Sequence, residues 1–277
     1  MAQVFNEAMK NCKNSSEEFW RALKVEARVV CEKEPLLSSY LHACILNHHN
    51  IETTLSFILS NKISDDVMPA ISVSEMFDQA YLLDPCMVDA AVADVKAIVL
   101  RDPAVSSYLP VFINLKGFQA LQVHRLAHYM WNIGRKELAL FLQSRNSQVF
   151  SVDIHPAAKL GKGVMFDHAT GIVIGETAVV EDNVSILQEV TLGGTGNEQG
   201  DRHPKVREGV MIGSGAKILG NIEIGRGSRV GAGSVVLNDV PECKTVVGVP
   251  AKVVGDVDCD RPCDSMEQNV LSSNYQI

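Results

Sequence analysis

Residues 206–236 read VREGVMIGSGAKILGNIEIGRGSRVGAGSVV, and this stretch repeats a pattern of six. An aliphatic residue stands at every sixth position, from Val206 to Val236, and glycine directly follows several of them, as at Gly213 and Gly225. An α-helix would repeat its apolar residues every three or four positions, and a half-buried strand every two. A fixed longer period is instead typical of a chain wound into stacked, similar units.

The same spacing occurs upstream, with two interruptions. A slip of two residues separates its first two runs, and a glycine-rich polar stretch, 193–205, separates the second run from Val206. The aliphatic or aromatic positions of these runs are Ile154, Leu160 and Phe166, then Ile174, Val180, Ile186 and Leu192. Ordinary short strands with glycine turns would not keep this spacing over so many units. One inward side chain per six residues gives a short strand and a corner, and three sides close a triangular coil. We therefore predict a left-handed parallel β-helix of hexapeptide repeats over 149–255, with 193–205 as a protruding loop that carries function.

Residues before this region have helical spacing, which predicts an α-helical domain over 1–148. Ser15 with Glu18, and Ser72 with Glu75, have the spacing of capping boxes and predict helix starts. Further predicted helices cover 36–47, 51–59, 88–100, 115–131 and 136–143. The acidic, small-residue stretch 256–277 is predicted to be a flexible C-terminal tail. The expected fold class is thus α+β, with a helical domain, a β-helix and a tail.

Composition excludes several classes of protein. The 277 residues carry a formal net charge of -8, which disfavours nucleic acid and anionic membranes as partners. The sequence contains no signal peptide and no apolar run near the ~18 residues that span a bilayer. Seven cysteines with irregular spacing and no CxxC pair predict reduced thiols in a cytoplasmic protein, and no metal site.

Histidine is the general base expected near neutral pH, and His155, His168 and His203 lie in or beside the repeats. His168 follows the inward Phe166 by two positions, so its side chain is expected outside the coil at a corner. Asp153 lies in a neighbouring hexad, and a carboxylate beside an imidazole fixes its tautomer. From the residues alone, a catalytic pair and a salt-linked surface pair are equally compatible with this spacing.

Several motifs resemble those of the bacterial serine acetyltransferase family. They are DIHPAA at 153–158, DHATG at 167–171, LGGT at 192–195, DRHPK at 201–205, GVPAK at 248–252 and RDPA at 101–104. The similarity covers nearly the whole chain. It implies an enzyme that transfers acetyl from acetyl-CoA to L-serine, giving O-acetyl-L-serine and CoA in the first step of cysteine biosynthesis. It also implies that His168 is the general base and that Asp153 orients it.

The resemblance implies the binding residues as well. Asp102 and Asp167 would hold the serine amino group, Arg202 would pair with the serine carboxylate, and His203 would contact the same substrate. An arginine suits this role because its planar donor fork matches a carboxylate. Coenzyme A would lie along the outside of the coil, near Gly194, Ala216, Gly233 and Lys252.

Members of this family form trimers through the β-helix, with each active site between two subunits, and the helical domain joins two trimers into a hexamer. The same assembly is therefore expected here. The resemblance also implies that cysteine binds in the serine site and inhibits the enzyme. A C-terminal isoleucine, which is Ile277 in this sequence, would insert into cysteine synthase as a partner.

Three other functions remain open from the sequence. The first is another hexapeptide acyltransferase that acts on a sugar or xenobiotic hydroxyl. The second is a metal enzyme of the γ-carbonic anhydrase kind, which requires closely spaced zinc-binding histidines that His168 and His203 lack. The third is a trimeric scaffold without catalysis.

Overall fold

The computed structural model describes residues 2–196, 199–257 and 261–268, and in it a helical half precedes a parallel β-helix. The helices are α1 Ala2–Lys33, α2 Ser38–Leu41, α3 Ile51–Ile63, α4 Ala70–Leu83, α5 Cys86–Arg101, α6 Tyr108–Asn114, α7 Lys116–Asn132 and α8 Lys136–Phe150. Within the described residues, no helix is long and apolar enough to cross a membrane. The predicted fold class is confirmed.

The predicted helices match α3, α5 and α7 to within a few residues, but both predicted capping boxes are wrong. α1 begins at Ala2, well before Ser15, because the intervening sequence contains no glycine or proline that would end a helix. α4 begins at Ala70, directly after Pro69, so Ser72 lies within the helix. The true cap of α3 is Asn50, whose Oδ1 accepts a hydrogen bond from Thr53 N at 3.0 Å.

The β-helix has about five coils and three faces. Its strands are β1 Val152–Ile154, β2 Lys159–Leu160, β3 Met165–Phe166, β4 Ile172–Ile174, β5 Val179–Val180, β6 Ser185–Ile186, β7 Thr191–Gly193, β8 Lys205–Val206, β9 Met211–Ile212, β10 Lys217–Leu219, β11 Glu223–Ile224, β12 Arg229–Val230, β13 Val235–Val236, β14 Lys244–Gly248 and β15 Ala251–Asp256. Face A contains β1, β4, β7, β10 and β13, face B contains β2, β5, β8 and β11, and face C contains β3, β6, β9, β12, β14 and β15. The described strand pairs are parallel except for the final hairpin of β14 and β15. The turn of this hairpin lies within the motif 248–252.

The register confirms the predicted aliphatic column. On face A the paired and buried residues are Ile154, Ile174, Leu192, Ile218 and Val236. The slip of two residues in the repeat falls at the corner 167–171, between β3 and β4. There His168 and Ala169 both have positive φ, of 54° and 63°, and the chain turns outward before it rejoins the column.

The helical half packs on the first coil of the β-helix. Asp94 of α5 is fully buried and accepts hydrogen bonds from Arg125 Nη2 at 2.7 Å and from the backbone N of Val164 at 3.0 Å. Arg125 Nη2 also donates to the Gly161 carbonyl at 2.8 Å. One cluster of buried side chains extends through both halves, so the β-helix shares its core with the helices.

Part of the segment predicted as a flexible tail is docked. Pro262–Ser265 forms a short helix, α9, in which Cys263 is buried. Asp264 Oδ1 accepts from Nε of the buried Arg101 at 2.9 Å. Arg101 also donates to the Gly163 carbonyl at 2.8 Å, so it joins α5, the first coil and α9. A buried guanidinium requires such partners, and Asp264 supplies the carboxylate. Ile277 lies outside the described residues.

We predict that Gly117→Ala destabilises the protein although alanine favours helices. A Cβ at Gly117 of α7 would lie 2.2 Å from the Phe166 carbonyl oxygen, so α7 and the corner 167–171 would have to move apart. The expected loss is about 1–3 kcal/mol in the free energy of unfolding. Gly255→Ala is the control, because a Cβ there meets no atom within 4 Å. Equal unfolding midpoints for the two variants in urea would contradict this packing.

We also predict a loss of stability at mildly acidic pH that depends on His124. Burial lowers the pKa of His124 well below its usual value, with smaller contributions from His128 and Arg125. Below pH ~6.5 the unfolded chain therefore binds a proton at His124 that the folded chain does not bind. The free energy of unfolding is retained above this pH and declines below it. Between pH 7.5 and 5.5 this histidine accounts for a loss of stability on the order of 1 kcal/mol. His124→Gln should remove that amount of pH dependence from urea unfolding curves, whereas exposed His42→Gln should not; an unchanged pH dependence in His124→Gln would refute the assignment.

Candidate functional site

The sequence-predicted site residues fall into two groups, which lie at two different corners of the β-helix. The first, called the acidic cluster, consists of Asp102, Asp167 and His168. Asp102 follows the last residue of α5, and its Oδ1 accepts from the backbone N of Ala104 at 2.8 Å. Asp167 and His168 occupy the widened corner before face A, where the His168 side chain is 76% exposed. His168 Nε2 lies 3.9 Å from Asp167 Oδ1, within range of an ion pair but too far for a hydrogen bond.

The charges of the acidic cluster favour a bound cation. Burial raises the pKa of Asp167, His168 lowers it, and the Asp102 carboxylate raises it again because the two carboxylates repel. A cation bound between the two carboxylates would relieve that repulsion. An ammonium group has the required charge and only hydrogen-bond donors.

The acidic cluster lines a cavity of about 560 Å³. The docked C-terminal segment supplies the opposite wall through Asp264, Ser265 and Met266. Arg101 connects the two walls of this cavity. It precedes Asp102 in the chain, and its side chain donates a hydrogen bond to Asp264 of α9. The sequence did not predict this wall.

The second group, called the loop cluster, consists of Glu176, Thr177, Arg202 and His203. Glu176 and Thr177 lie at the corner after β4, and the loop that leaves β7 returns beside them at Arg202 and His203. Arg202 Nη2 pairs with Glu176 Oε2 at 2.7 Å. The backbone N atoms of Arg202 and His203 donate to Thr177 Oγ1 at 3.0 and 3.1 Å.

The loop cluster pairs its one guanidinium with a carboxylate and keeps its imidazole neutral. His203 is 7% exposed, and burial lowers its pKa, with a further lowering by Arg202. Burial likewise lowers the pKa of the neighbouring His155. The hydrogen bond from Arg202 lowers the pKa of Glu176, so this carboxylate stays charged. A substrate carboxylate could share the Arg202 guanidinium with Glu176, because a guanidinium carries five N–H donors.

Asp153 lies on the loop-cluster side. It is the central residue of β1, its Oδ1 accepts from Gln143 Nε2 at 2.7 Å, and its charge acts on His155. Among the described residues, no hydrogen bond joins Asp153 to His168. The predicted pairing of these two residues is therefore not formed within one chain.

The two clusters occupy opposite edges of face A. His168 precedes β4, whereas Glu176 and Thr177 follow it, and the loop residues follow β7, the next strand of the same face. A strand of three residues separates the edges by roughly 10 Å. A single chain therefore presents an acidic edge with two carboxylates, and a second edge that we call basic for its Arg202 guanidinium, although Glu176 is paired with it.

The predicted coenzyme A residues differ in what they offer. Gly233 has a φ of 66° and open space around it, and Lys252 is exposed on β15. Gly194 lies beside Arg202, whose carbonyl oxygen would be 3.4 Å from a Cβ. Ala216, by contrast, is buried, and its N and O are bonded to Gly213 O and Thr191 N, so it has no free donor for a ligand. No group of histidines, cysteines or carboxylates among the described residues could hold a metal ion.

Sequence reasoning missed Glu176 and Thr177, although a signal was available. Glu176 follows the inward Ile174 by two positions, as His168 follows Phe166, so the repeat places both outside the coil. The slip at 167–171 and the insertion at 193–205 also mark the two corners that carry the clusters. Nothing local in the sequence indicates the contribution of the C-terminal segment.

Comparisons with known proteins agree on one family. The model for "Serine acetyltransferase, N-terminal" matches residues 19–123, and that for "Bacterial transferase hexapeptide (six repeats)" matches 203–238. A serine acetyltransferase of Escherichia coli strain K12 is 56% identical over 256 residues, which cover 92% of this chain and 94% of the relative.

Solved structures give the same result. A serine acetyltransferase in complex with cysteine superposes with a TM-score of 0.91 at 53% identity, covering 92% of this chain and 100% of that one. A coenzyme A complex from Brucella abortus strain S19 has a TM-score of 0.86 at 48% identity, covering 87% and 97%. The soybean enzyme complexed with serine has a TM-score of 0.85 at 54% identity, covering 87% of this chain and 99% of that one.

Proposed function

The chain belongs to the serine acetyltransferase family, and from that premise we propose how its residues carry out the reaction. It is an acetyl-CoA-dependent serine O-acetyltransferase: the acetyl group leaves the thioester of acetyl-CoA and is transferred to the hydroxyl of L-serine. Relatives bind serine, cysteine or coenzyme A, which supports this activity over transfer to a sugar or xenobiotic hydroxyl.

The complementary charges of the two clusters carry the proposal for the substrate site. Asp102 and Asp167 bind the serine ammonium group, and Arg202 and His203 bind its carboxylate. Because these clusters lie on opposite edges of face A, the site is completed between two chains, with the acidic edge of one facing the basic edge of the next. A cyclic trimer, in which each β-helix faces the next, satisfies every edge.

His168 is the general base in this proposal. Its exposed imidazole removes the proton from the serine hydroxyl as that oxygen attacks the thioester carbonyl. When the tetrahedral intermediate collapses, the carbon–sulfur bond breaks and the imidazolium returns the proton to the CoA sulfur. Asp153 orients His168 across the subunit boundary, because the two residues are not bonded within one chain.

Coenzyme A is the acetyl donor, and its predicted contacts are supported unequally. Gly194, Gly233 and Lys252 present accessible groups to a ligand along the coil. Ala216 is fully buried, so within one chain it offers no surface to the ligand.

Further assembly and regulation follow from the same site. Cysteine carries the same ammonium and carboxylate groups as serine, so it competes for the site. Exposed apolar residues of the helical half, including Leu36 and Val67 at 91% each, support pairing of two trimers through that half. A cytoplasmic location remains a prediction from the sequence.

We predict that His168→Ala lowers kcat by about 10²–10⁴-fold while the assembly stays intact. The residue is exposed, so its removal leaves the core unchanged. Steady-state kinetics with serine and acetyl-CoA, together with light scattering, measure both effects. His42→Ala replaces an exposed histidine of the helical half and should keep wild-type turnover. Wild-type kcat in His168→Ala would show that another group is the base.

We predict that deleting Ile277 weakens binding to cysteine synthase and leaves acetyl transfer unchanged. The terminal carboxylate and apolar side chain together resemble an amino-acid ligand, and the deletion removes that side chain. Calorimetry with cysteine synthase measures the affinity, and the acetyl transfer assay is the control. Equal affinity of the full and shortened chains would refute this role.

A further inference from the structure

Thr177 makes an unusual number of contacts for one small side chain. Its Oγ1 accepts the backbone N–H groups of both Arg202 and His203, at 3.0 and 3.1 Å, and lies 2.9 Å from His203 Nδ1. Arg202 and His203 are the two residues assigned to the substrate carboxylate. One hydroxyl group therefore holds the backbone of both.

The same contacts determine which nitrogen of His203 carries a proton. The backbone N–H of Thr177 donates to His203 Nδ1 at 3.2 Å, and a backbone N–H can only donate. Oγ1 accepts two N–H groups and also hydrogen-bonds the Asp201 carboxylate, so the backbone N–H of Thr177, and not the hydroxyl proton, decides the state of Nδ1. Nδ1 is therefore an acceptor, and the proton of the neutral ring is on Nε2.

Gly175 leaves space for the ring in this orientation. A Cβ at Gly175 would lie 2.0 Å from both Nε2 and Cδ2 of His203, so any side chain larger than hydrogen would displace the imidazole. The φ of Gly175 is not positive, so the glycine is required here for space and not for backbone conformation. Burial and the Arg202 charge keep the ring neutral.

We propose that Thr177 is a positioning residue, which holds His203 as an Nε2–H donor and holds Arg202 in register to bind the carboxylate of the acceptor. This inference rests on the proposed function of the loop cluster. The two histidines then have different roles. His168 removes the proton of the serine hydroxyl, and His203 only donates a hydrogen bond to the serine carboxylate. Thr177 itself does not touch the substrate.

The test compares Thr177→Val, which keeps the shape and removes the hydroxyl group, with Thr177→Ser, which keeps the hydroxyl group. The valine variant leaves two backbone N–H groups without their acceptor, so KM for serine should rise about tenfold or more. KM for acetyl-CoA should change less than about twofold, because the thioester is not held by this pair. Thr177→Ser should restore KM for serine to within about threefold of wild type.

Thr53→Val is the matched control, since its Oγ1 also donates a hydrogen bond, to Asn50 at 2.8 Å in the helical half. It should leave both KM values unchanged. Equal KM for serine in wild type and Thr177→Val, or an equal rise for serine and acetyl-CoA, would overturn the proposal. Absence of serine turnover in the wild type would instead refute the proposed function.

A spectroscopic measurement on the wild-type protein does not depend on how the variants fold. Long-range ¹H–¹⁵N correlation spectra with ¹⁵N-labelled histidine distinguish an Nε2–H from an Nδ1–H ring, and His203→Gln identifies the signal. We expect an Nε2–H ring between pH 7 and 8. An Nδ1–H ring or an imidazolium at that pH would overturn the proposal even if Thr177→Val failed to fold.

Discussion

Most strands of the β-helix contribute one buried apolar side chain to its core, and this requirement determines where the corners lie. Ile154, Ile174 and Leu192 stack in register, so the chain between them has little freedom along the faces. Residues can be added only at corners. The wider corner at 167–171 and the loop at 193–205 are the two additions, and each carries a functional cluster. The column therefore provides the rigid frame on which irregular backbone can be held.

The electrostatics of the two clusters depend on that frame. At one edge of face A, a partly buried pair of carboxylates favours a cation. At the other edge Arg202 already holds a carboxylate, that of Glu176, and neutral imidazoles lie beside it. Neither edge alone binds both ends of an amino acid. Under the proposed function, catalysis therefore depends on assembly. The helical half, which shares the core of the first coil, helps to fix the position of Asp102 relative to Asp167.

Features with a period could be predicted, and features that depend on distant contacts could not. The column, the three faces and most helices follow from spacing. The role of Thr177 depends on a contact with His203, which lies 26 positions later in the sequence. The docking of α9 depends on the ion pair between buried Arg101 and Asp264, which are 163 positions apart. Capping boxes were misleading because Pro69, and not Ser72, sets the start of α4. Asp153 lies in the middle of β1, and its role in orienting His168 stays a prediction, because no described hydrogen bond joins the two residues.

The contact between Gly175 and the His203 ring has a consequence for how such sequences diverge. Because a side chain at 175 and an imidazole at 203 cannot occupy the same space, substitutions at these two positions constrain each other. A larger residue at 175 is compatible with this backbone only if position 203 carries a smaller side chain or its ring moves away. The effect of either substitution on the fold therefore depends on which residue stands at the other position.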